Sequence, residues 1–471
     1  MDKTPPTRQP LAISQAIQVG LQHHQAGRLR EAEAAYSQVL AVDPHNVEVL
    51  YFLGTIAHQV GRHESAIELI DKALAVRPNF AEALSNRGAA LQALERHEEA
   101  LASLDKALSL NPQFADALCN RGNSLQALKR YEEALASYDK ALSIRPQFAQ
   151  ALCNRGNVLQ ARKRYGDALA SFDKALSLNP DFPDALNNRA SVLRALKRHD
   201  EALADYDKAL AIKPDWVLAH LNRAHVLLEL QRKAEAIGAY RKAFEHGGNA
   251  EHINYELAGL GVGAVPSGAP SAYIADLFDR YADNFDQHLV GGLNYQTPKL
   301  LFQQLTRFCR SRDLDVADLG CGTGLLGPLL RPLSSTLTGV DLSANMLKKA
   351  SERRVYDDLI QSELTKFLET KKDSFDLAIA ADVFNYVGDL TGVFAGSRNA
   401  LRPGGWFSFS VEASDAEDFV LPATGRYRHS LTHCQKLAAD HGFVIVHSEP
   451  TVLREENGVG VNGYLILMQR P

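Results

Sequence analysis

Pro44, Pro78, Pro112, Pro146, Pro180 and Pro214 are spaced 34 residues apart. The same step links Gly20, Gly54, Gly88, Gly122, Gly156, Ala190 and Ala224, and it links Ala32, Ala66, Ala100, Ala134, Ala168, Ala202 and Ala236. A fixed period of this length dictates a stacked architecture, because one unit cannot bury its apolar face alone. The small residues recur where two helices must approach closely. A larger residue (Tyr36, Tyr138, Phe172, Tyr206, Tyr240) fills the gap between them. Proline falls where the second helix of each unit must stop. Seven units, over residues 13–250, predict an α-helical solenoid with a concave face.

The period and pattern resemble the tetratricopeptide repeat, a helix–turn–helix unit of 34 residues. Asn86, Asn120, Asn154, Asn188 and Asn222 hold one position of the first helix in repeats three to seven. Asn123 and Asn157 lie three residues further on, on the same helical face. An amide ladder along a groove can hydrogen-bond an extended peptide backbone without reading its side chains. In similar superhelical tetratricopeptide proteins, such as the O-linked N-acetylglucosamine transferases, an asparagine ladder holds peptides in this way. A protein or peptide in the solenoid groove is therefore the expected partner. The competing reading is that the amides solvate the groove or brace neighbouring repeats. Repeats one and two depart from the ladder, with Gln18 and Phe52 there. Arg87, Arg121, Arg155, Arg189 and Arg223 follow the asparagines and read as charged surface with paired acids.

The periodicity ends after Ala250. A short helical continuation is followed by a stretch from Gly259 to Pro270 rich in glycine and proline, which marks a linker. The expected division is a solenoid over 13–250, a helical cap and linker over 251–271, and a second domain over 272–471. Beyond the linker, apolar runs alternate with helical stretches, as in an α/β unit. Lys and Arg number 51 against 56 Asp and Glu, a net charge of −5. That balance argues against nucleic acid as the main partner. The start, Met1-Asp2-Lys3-Thr4-Pro5-Pro6, has no apolar leader, and no long apolar run follows, so no membrane span is expected. Cys119, Cys153, Cys309, Cys321 and Cys434 show neither metal spacing nor a disulfide framework. A cytoplasmic protein without a metal is the expectation.

Val316-Ala317-Asp318-Leu319 reads as a buried strand, Gly320-Cys321-Gly322-Thr323-Gly324 as a turn, and Leu325 to Leu330 as the opening of a helix. Alternate glycines let backbone approach a bulky ligand without Cβ clashes. Thr338 to Asp341 is a second strand ending in an acid, which can take both hydroxyls of a ribose. These features resemble the motifs of class I methyltransferases, a Rossmann-like α/β fold. That resemblance implies S-adenosylmethionine as cofactor. It implies Asp318, Gly320, Gly322 and Gly324 around the methionine part, Asp341 on the ribose, Leu342 against the adenine, and Glu363 facing the adenine amino group. Asp382, at the carboxyl end of a fourth strand over 374–382, joins this set. Trp406 to Val411 reads as a fifth strand, and Val444–Ser448 with Gly463–Met468 as an antiparallel edge.

Gly322-Thr323-Gly324-Leu325-Leu326-Gly327 also satisfies G-x-G-x-x-G, with Asp341 about 20 residues on. A dinucleotide oxidoreductase is therefore a rival, in which Asp318 and Gly320 would be idle. A cofactor-binding scaffold without catalysis is another. The segment from Tyr273 to His288 resembles the lid helices of methyltransferases that carry tetratricopeptide repeats. Tyr281 and Phe285 are spaced to share a helical face there and can favour a cationic sulfonium. For a general base the candidates are Asp382, His288 and His429, with Asn385, Tyr386, Arg426 and Arg454 as further polar groups.

Overall fold

The computed structural model describes residues 13–456 and 458–471. The segment Met1–Pro6, read above as lacking a leader, lies outside the described residues. The chain divides into two compact units, between Gln231 and Arg232.

The first unit is built of helices alone among the described residues, thirteen from Ile13–Gln25 to Val217–Glu229. Each repeat pairs a first helix such as Ala115–Ala127 with a second such as Tyr131–Ile144. The periodic glycines have a steric cause. A Cβ on Gly122 would stand 2.5 Å from the ring of Tyr138, and one on Gly156 would stand 2.6 Å from Phe172. Real Cβ atoms do not come so close, so glycine here is what lets the partner helix bury an aromatic ring completely. The second helices end as the prolines require. Leu29–Val42 stops two residues before Pro44, and His63–Val76 two before Pro78.

The second unit contains a seven-stranded sheet: β1 Leu314–Leu319, β2 Ser334–Asp341, β3 Asp358–Gln361, β4 Phe375–Ala380, β5 Leu401–Glu412, and, after a two-stranded hairpin of β6 Phe419–Val420 and β7 Arg428–His429, β8 Val444–Glu456 and β9 Val459–Gln469. The sheet order is β3-β2-β1-β4-β5-β9-β8. β1 to β5 are parallel, β9 runs antiparallel to β5, and β8 runs antiparallel to β9. The parallel strands read as nearly continuous apolar runs because both faces are covered. Phe384, Phe394, Phe407 and Phe409 fill one side, and Leu301, Leu305, Leu330 and Leu377 the other. Strand order reverses between β1 and β4, the switch point at which open α/β sheets bind ligands outside their carboxyl ends.

Ahead of the sheet, Ala250–Gly259 forms a helix within this same unit. Its Tyr255 packs with Ala258, Leu421 and Tyr427. The glycine- and proline-rich stretch that follows is fastened to the sheet. The Ser267 carbonyl accepts from Gly388 N–H (2.9 Å) and Asp389 N–H (2.8 Å), and Ala269 N–H donates to the Tyr386 carbonyl (2.9 Å). Tyr427 donates its hydroxyl to the Pro266 carbonyl (2.9 Å). Composition alone suggests a loose linker, yet small residues and prolines also suit a strap laid closely on a sheet.

The packing yields a paired prediction. Gly122→Ala is expected to destabilise the solenoid by about 1–3 kcal/mol through overpacking against Tyr138. A Cβ on Gly166, which is also helical, would meet nothing within 4 Å. Gly166→Ala is expected to be neutral or to stabilise by up to about 1 kcal/mol. Thermal melts of both variants check this, and equal shifts would contradict it.

Candidate active site

A cavity of about 700 Å³ opens at the carboxyl ends of β1, β2 and β4. That volume lies in the range of small-molecule sites. Of the expected cofactor residues, Gly320, Gly322, Asp341, Leu342, Glu363 and Asp382 line it, whereas Asp318 and Gly324 do not.

The glycine loop is bonded directly by Asp341, and Asp318 reaches it only through Tyr356. Gly320, Gly322 and Gly324 all have left-handed φ (67°, 54° and 79°), a conformation that L side chains rarely adopt. Asp341 accepts from Gly322 N–H (2.8 Å) and Ser343 N–H (2.9 Å) through different oxygens. Burial raises its pKa and those backbone bonds oppose the rise. Asp318 sits behind the loop, 2% exposed, and accepts from the Tyr356 hydroxyl (2.6 Å). Tyr356 gave no signal in the sequence. It stands 38 residues from Asp318, in no motif. Its ring nevertheless accounts for three glycines, since a Cβ on Gly324, Gly327 or Gly339 would lie 2.8–3.0 Å from it. The last two glycines of the apparent dinucleotide fingerprint thus pack against Tyr356, and Gly327 opens a helix of only four residues, Gly327–Leu330.

Two lid helices, Ser271–Tyr281 and Phe285–Gly292, are joined by the turn Ala282–Asn284. Tyr281 and Phe285 therefore lie on successive helices, with their rings edge-on at 5.5 Å. Both line the cavity, as does Phe278. Three lid acids anchor this layer. Asp279 accepts from Ser343 Oγ (2.5 Å) and Asn345 N–H (3.0 Å), Asp283 pairs with Lys349 (3.2 Å), and Asp286 pairs with Arg353 and accepts from Thr323 Oγ1. Their spacing of four and three is helical, a signal present in the sequence but overshadowed by the aromatic residues beside them.

Glu363 lines the cavity and also caps the helix Leu364–Glu369, accepting from Thr365 Oγ1 (2.6 Å). Asp382 has left-handed φ (55°). Its carboxylate accepts from Ser410 Oγ (3.0 Å) and from Arg454 (3.0 Å). Burial raises the Asp382 pKa against the pull of Arg454. Arg454, 4% exposed, also donates to Glu456 (2.8 Å) and to Glu412. Arg426 donates to Glu456 (2.6 Å) and lies 3.1 Å from Glu412. Asn385, Tyr386, Arg426 and Arg454 all line the cavity.

The histidine candidates separate. His288 is exposed, lines the cavity, and meets the Tyr281 hydroxyl with its Nδ1. His429 is fully buried and does not line the cavity. Its Nε2 lies 2.9 Å from the Val387 carbonyl and 3.1 Å from that of Phe384. Burial lowers its pKa to about 4. A neutral ring donating to backbone carbonyls stitches β7 to the turn after β4 and is not placed to take a substrate proton.

In the first unit the ladder amides are half-buried, and those of Asn86, Asn154, Asn188 and Asn222 bridge successive repeats. Asn154 Nδ2 donates to Asn123 (2.7 Å), Asn188 Nδ2 to Asn157 (2.8 Å), Asn222 Nδ2 to Asn187 (3.2 Å), and Asn86 Nδ2 to Tyr51 (3.2 Å) and Thr55 (3.1 Å). The arginines that follow them are ion-paired: Arg87 with Asp71, Arg121 with Asp105, Arg155 with Asp139, Arg189 with Asp173, and Arg223 with Asp207.

Comparison with known proteins agrees with both halves. A family model described as a methyltransferase domain matches residues 317–409. Tetratricopeptide repeat models match residues 23–90, 81–114, 115–148 and 153–215. The chain is 29% identical over 116 residues to the ubiquinone biosynthesis O-methyltransferase of Thiobacillus denitrificans, covering 23% of this chain and 49% of that one. It is 29% identical over 167 residues to the malonyl-[acyl-carrier protein] O-methyltransferase of Yersinia pestis, covering 35% and 59%. The chain thus spans about half the length of the curated relatives it matches. Among solved structures, a tetratricopeptide repeat protein from Parabacteroides merdae aligns with 53% of this chain and 98% of its own, at 24% identity and a TM-score of 0.43. The chain carries tetratricopeptide repeats followed by a methyltransferase domain. Among the described residues no helix is long and apolar enough to cross a membrane, and no cluster of three or more His, Cys, Asp or Glu could hold a metal.

Asp318 yields a pH prediction. Burial raises its pKa to about 7; the Tyr356 hydrogen bond opposes this and Asp341 adds to it. An unfolded aspartate titrates near 3.9, so the folded state holds the proton more tightly. The associated stability is fully present below about pH 4 and is lost as pH rises to about 7. In denaturant unfolding between pH 5 and pH 8, the wild type should lose about 2–3 kcal/mol more than Asp318→Asn. Equal losses would contradict the assignment.

Proposed function

We propose that this protein is a methyltransferase using S-adenosylmethionine, with the solenoid binding a protein or peptide that is its partner or substrate. The observation that carries the cofactor assignment is Asp341. Its carboxylate accepts Gly322 N–H of the glycine loop on one oxygen and Ser343 N–H on the other and still faces the cavity, so each oxygen keeps a lone pair for a ribose hydroxyl. Gly320 and Gly322 supply wall without side chains, Leu342 and Glu363 lie on the same side, and the rings of Phe278, Tyr281 and Phe285 favour a cation. These residues fit the cofactor. When bound, it supplies an electrophilic methyl group on a sulfonium.

The chain's own work is to orient the acceptor, exclude water and accept a proton. Asp382 is tied to Arg454 and Ser410, and His429 is sequestered, which leaves His288. If His288 Nδ1–H donates to the Tyr281 oxygen, Nε2 carries the lone pair and can serve as base. The lid, anchored by Asp279, Asp283 and Asp286, places that ring on the cavity wall. Both curated relatives are O-methyltransferases by name, which supports an oxygen acceptor. All five cysteines are buried and free, which supports a reducing, cytoplasmic setting.

In the solenoid, the half-buried Asn86, Asn120, Asn154, Asn188 and Asn222 would present their remaining hydrogen-bonding capacity to a peptide backbone. The repeats support this reading, and the bridging contacts would hold the amides in position for it.

Titration calorimetry with S-adenosylmethionine tests the core of the proposal. Asp341→Ala is expected to weaken binding by about 1.5–3 kcal/mol, the worth of hydrogen bonds to a charged group. No binding to the wild type would sink the cofactor assignment. With radiolabelled cofactor and fractionated lysate, His288→Gln should lower label transfer about 10²-fold while leaving cofactor affinity intact. Undiminished transfer would remove His288 as the base.

A further inference from the structure

Tyr295 follows the second lid helix, and Tyr386 ends the turn Phe384–Tyr386 after β4. Both line the cavity. Tyr295 donates its backbone N–H to the Leu289 carbonyl (3.3 Å), and the backbone of Tyr386 bonds to Val383 and Ala269. Neither phenolic hydroxyl finds a hydrogen-bond partner among the described residues. A hydroxyl in a cavity wall with no protein partner is free to hydrogen-bond a ligand that enters. The Tyr386 ring is held edge-on by Phe278 at 5.4 Å, so its hydroxyl has a fixed direction. Burial raises the pKa of both tyrosines, and both feel the same two charges, Asp382 and Arg454. The two hydroxyls therefore stay protonated on the wall of a cavity that Asp382 and Arg454 also line, each able to donate once and to accept.

The charges around them are already matched. Asp382, Glu412 and Glu456 share Arg454 and Arg426, with Arg428 3.7 Å from Glu412. A carboxylate or ammonium brought beside these ion pairs would lose its hydration and compete with partners already in place. An uncharged oxygen group would instead meet two vacant hydroxyls. Resting on the methyltransferase reading above, we propose that Tyr295 and Tyr386 bind the methyl acceptor, and that the acceptor presents an uncharged alcohol or phenol hydroxyl there.

The test uses the full chain and three probes of similar size: phenol, benzoate and benzylamine. Each is titrated with and without S-adenosylmethionine and followed by saturation-transfer NMR. Phenol is expected to bind at least tenfold more tightly than either charged probe. Tyr295→Phe and Tyr386→Phe should each weaken phenol about tenfold and keep S-adenosylmethionine affinity within twofold. That last readout also shows that the variants are folded. Absence of phenol binding, benzoate or benzylamine matching phenol, unchanged phenol affinity in both variants, or a parallel fall in cofactor affinity would each overturn the assignment. A wild type that binds phenol through these tyrosines but not S-adenosylmethionine would sink the cofactor reading alone.

Discussion

The methyltransferase domain is organised around a loop whose backbone would not keep its shape unaided. Three glycines at left-handed φ within five residues leave the segment from Gly320 to Gly324 with much conformational freedom to lose on folding. Asp341 removes that freedom from one side by accepting the Gly322 N–H, and Tyr356 removes it from the other by filling the space beside Gly324. β1 and β2 bring these constraints together, with Asp318 paired in register to Gly339. Gly339 is itself a glycine that gives the Tyr356 ring room. Cavity wall, sheet register and buried ring are therefore one packing problem with one solution.

The lid and the strap before it extend that solution around the cavity. Asp279 caps the start of the helix Ala344–Glu352, which begins shortly after Asp341. The carboxylate sits where exposed backbone N–H groups favour negative charge. On the other side, His252 of the cap helix stacks on Tyr273 of the lid at 4.2 Å, and Tyr255 donates to the Gly425 carbonyl. The cap helix, read from the sequence as a continuation of the repeats, thus contacts the layer that covers the cavity.

What the sequence reveals follows from how each residue acts. The 34-residue period is visible because the same clash, Cβ against a bulky side chain, is avoided by glycine in each of the first five repeats. The glycine loop and Asp341 are visible because their spacing is local. Tyr356 is invisible because its partners lie before it on two other strands and its own neighbours form no pattern. Arg454 is visible as a polar residue but not as the centre of a network, since Asp382 and Glu412 reach it from two other segments and only Glu456 is its neighbour on β8. His429 misleads for the opposite reason. Beside Arg426, Tyr427 and Arg428 it looks like part of a substrate loop, while the strand pairing of β7 turns it inward.

The asparagine ladder makes the same point about roles that are not exclusive. A primary amide has two donors and two acceptor lone pairs. The bridge from Asn188 to Asn157 uses one donor of Asn188, and Asn187 occupies one lone pair of its oxygen. That leaves a donor and a lone pair on a side chain whose orientation is already fixed. Ordering a free asparagine on a ligand would cost side-chain entropy at each rung. A ladder braced between repeats has met that cost during folding, so bracing would also serve the peptide recognition proposed above.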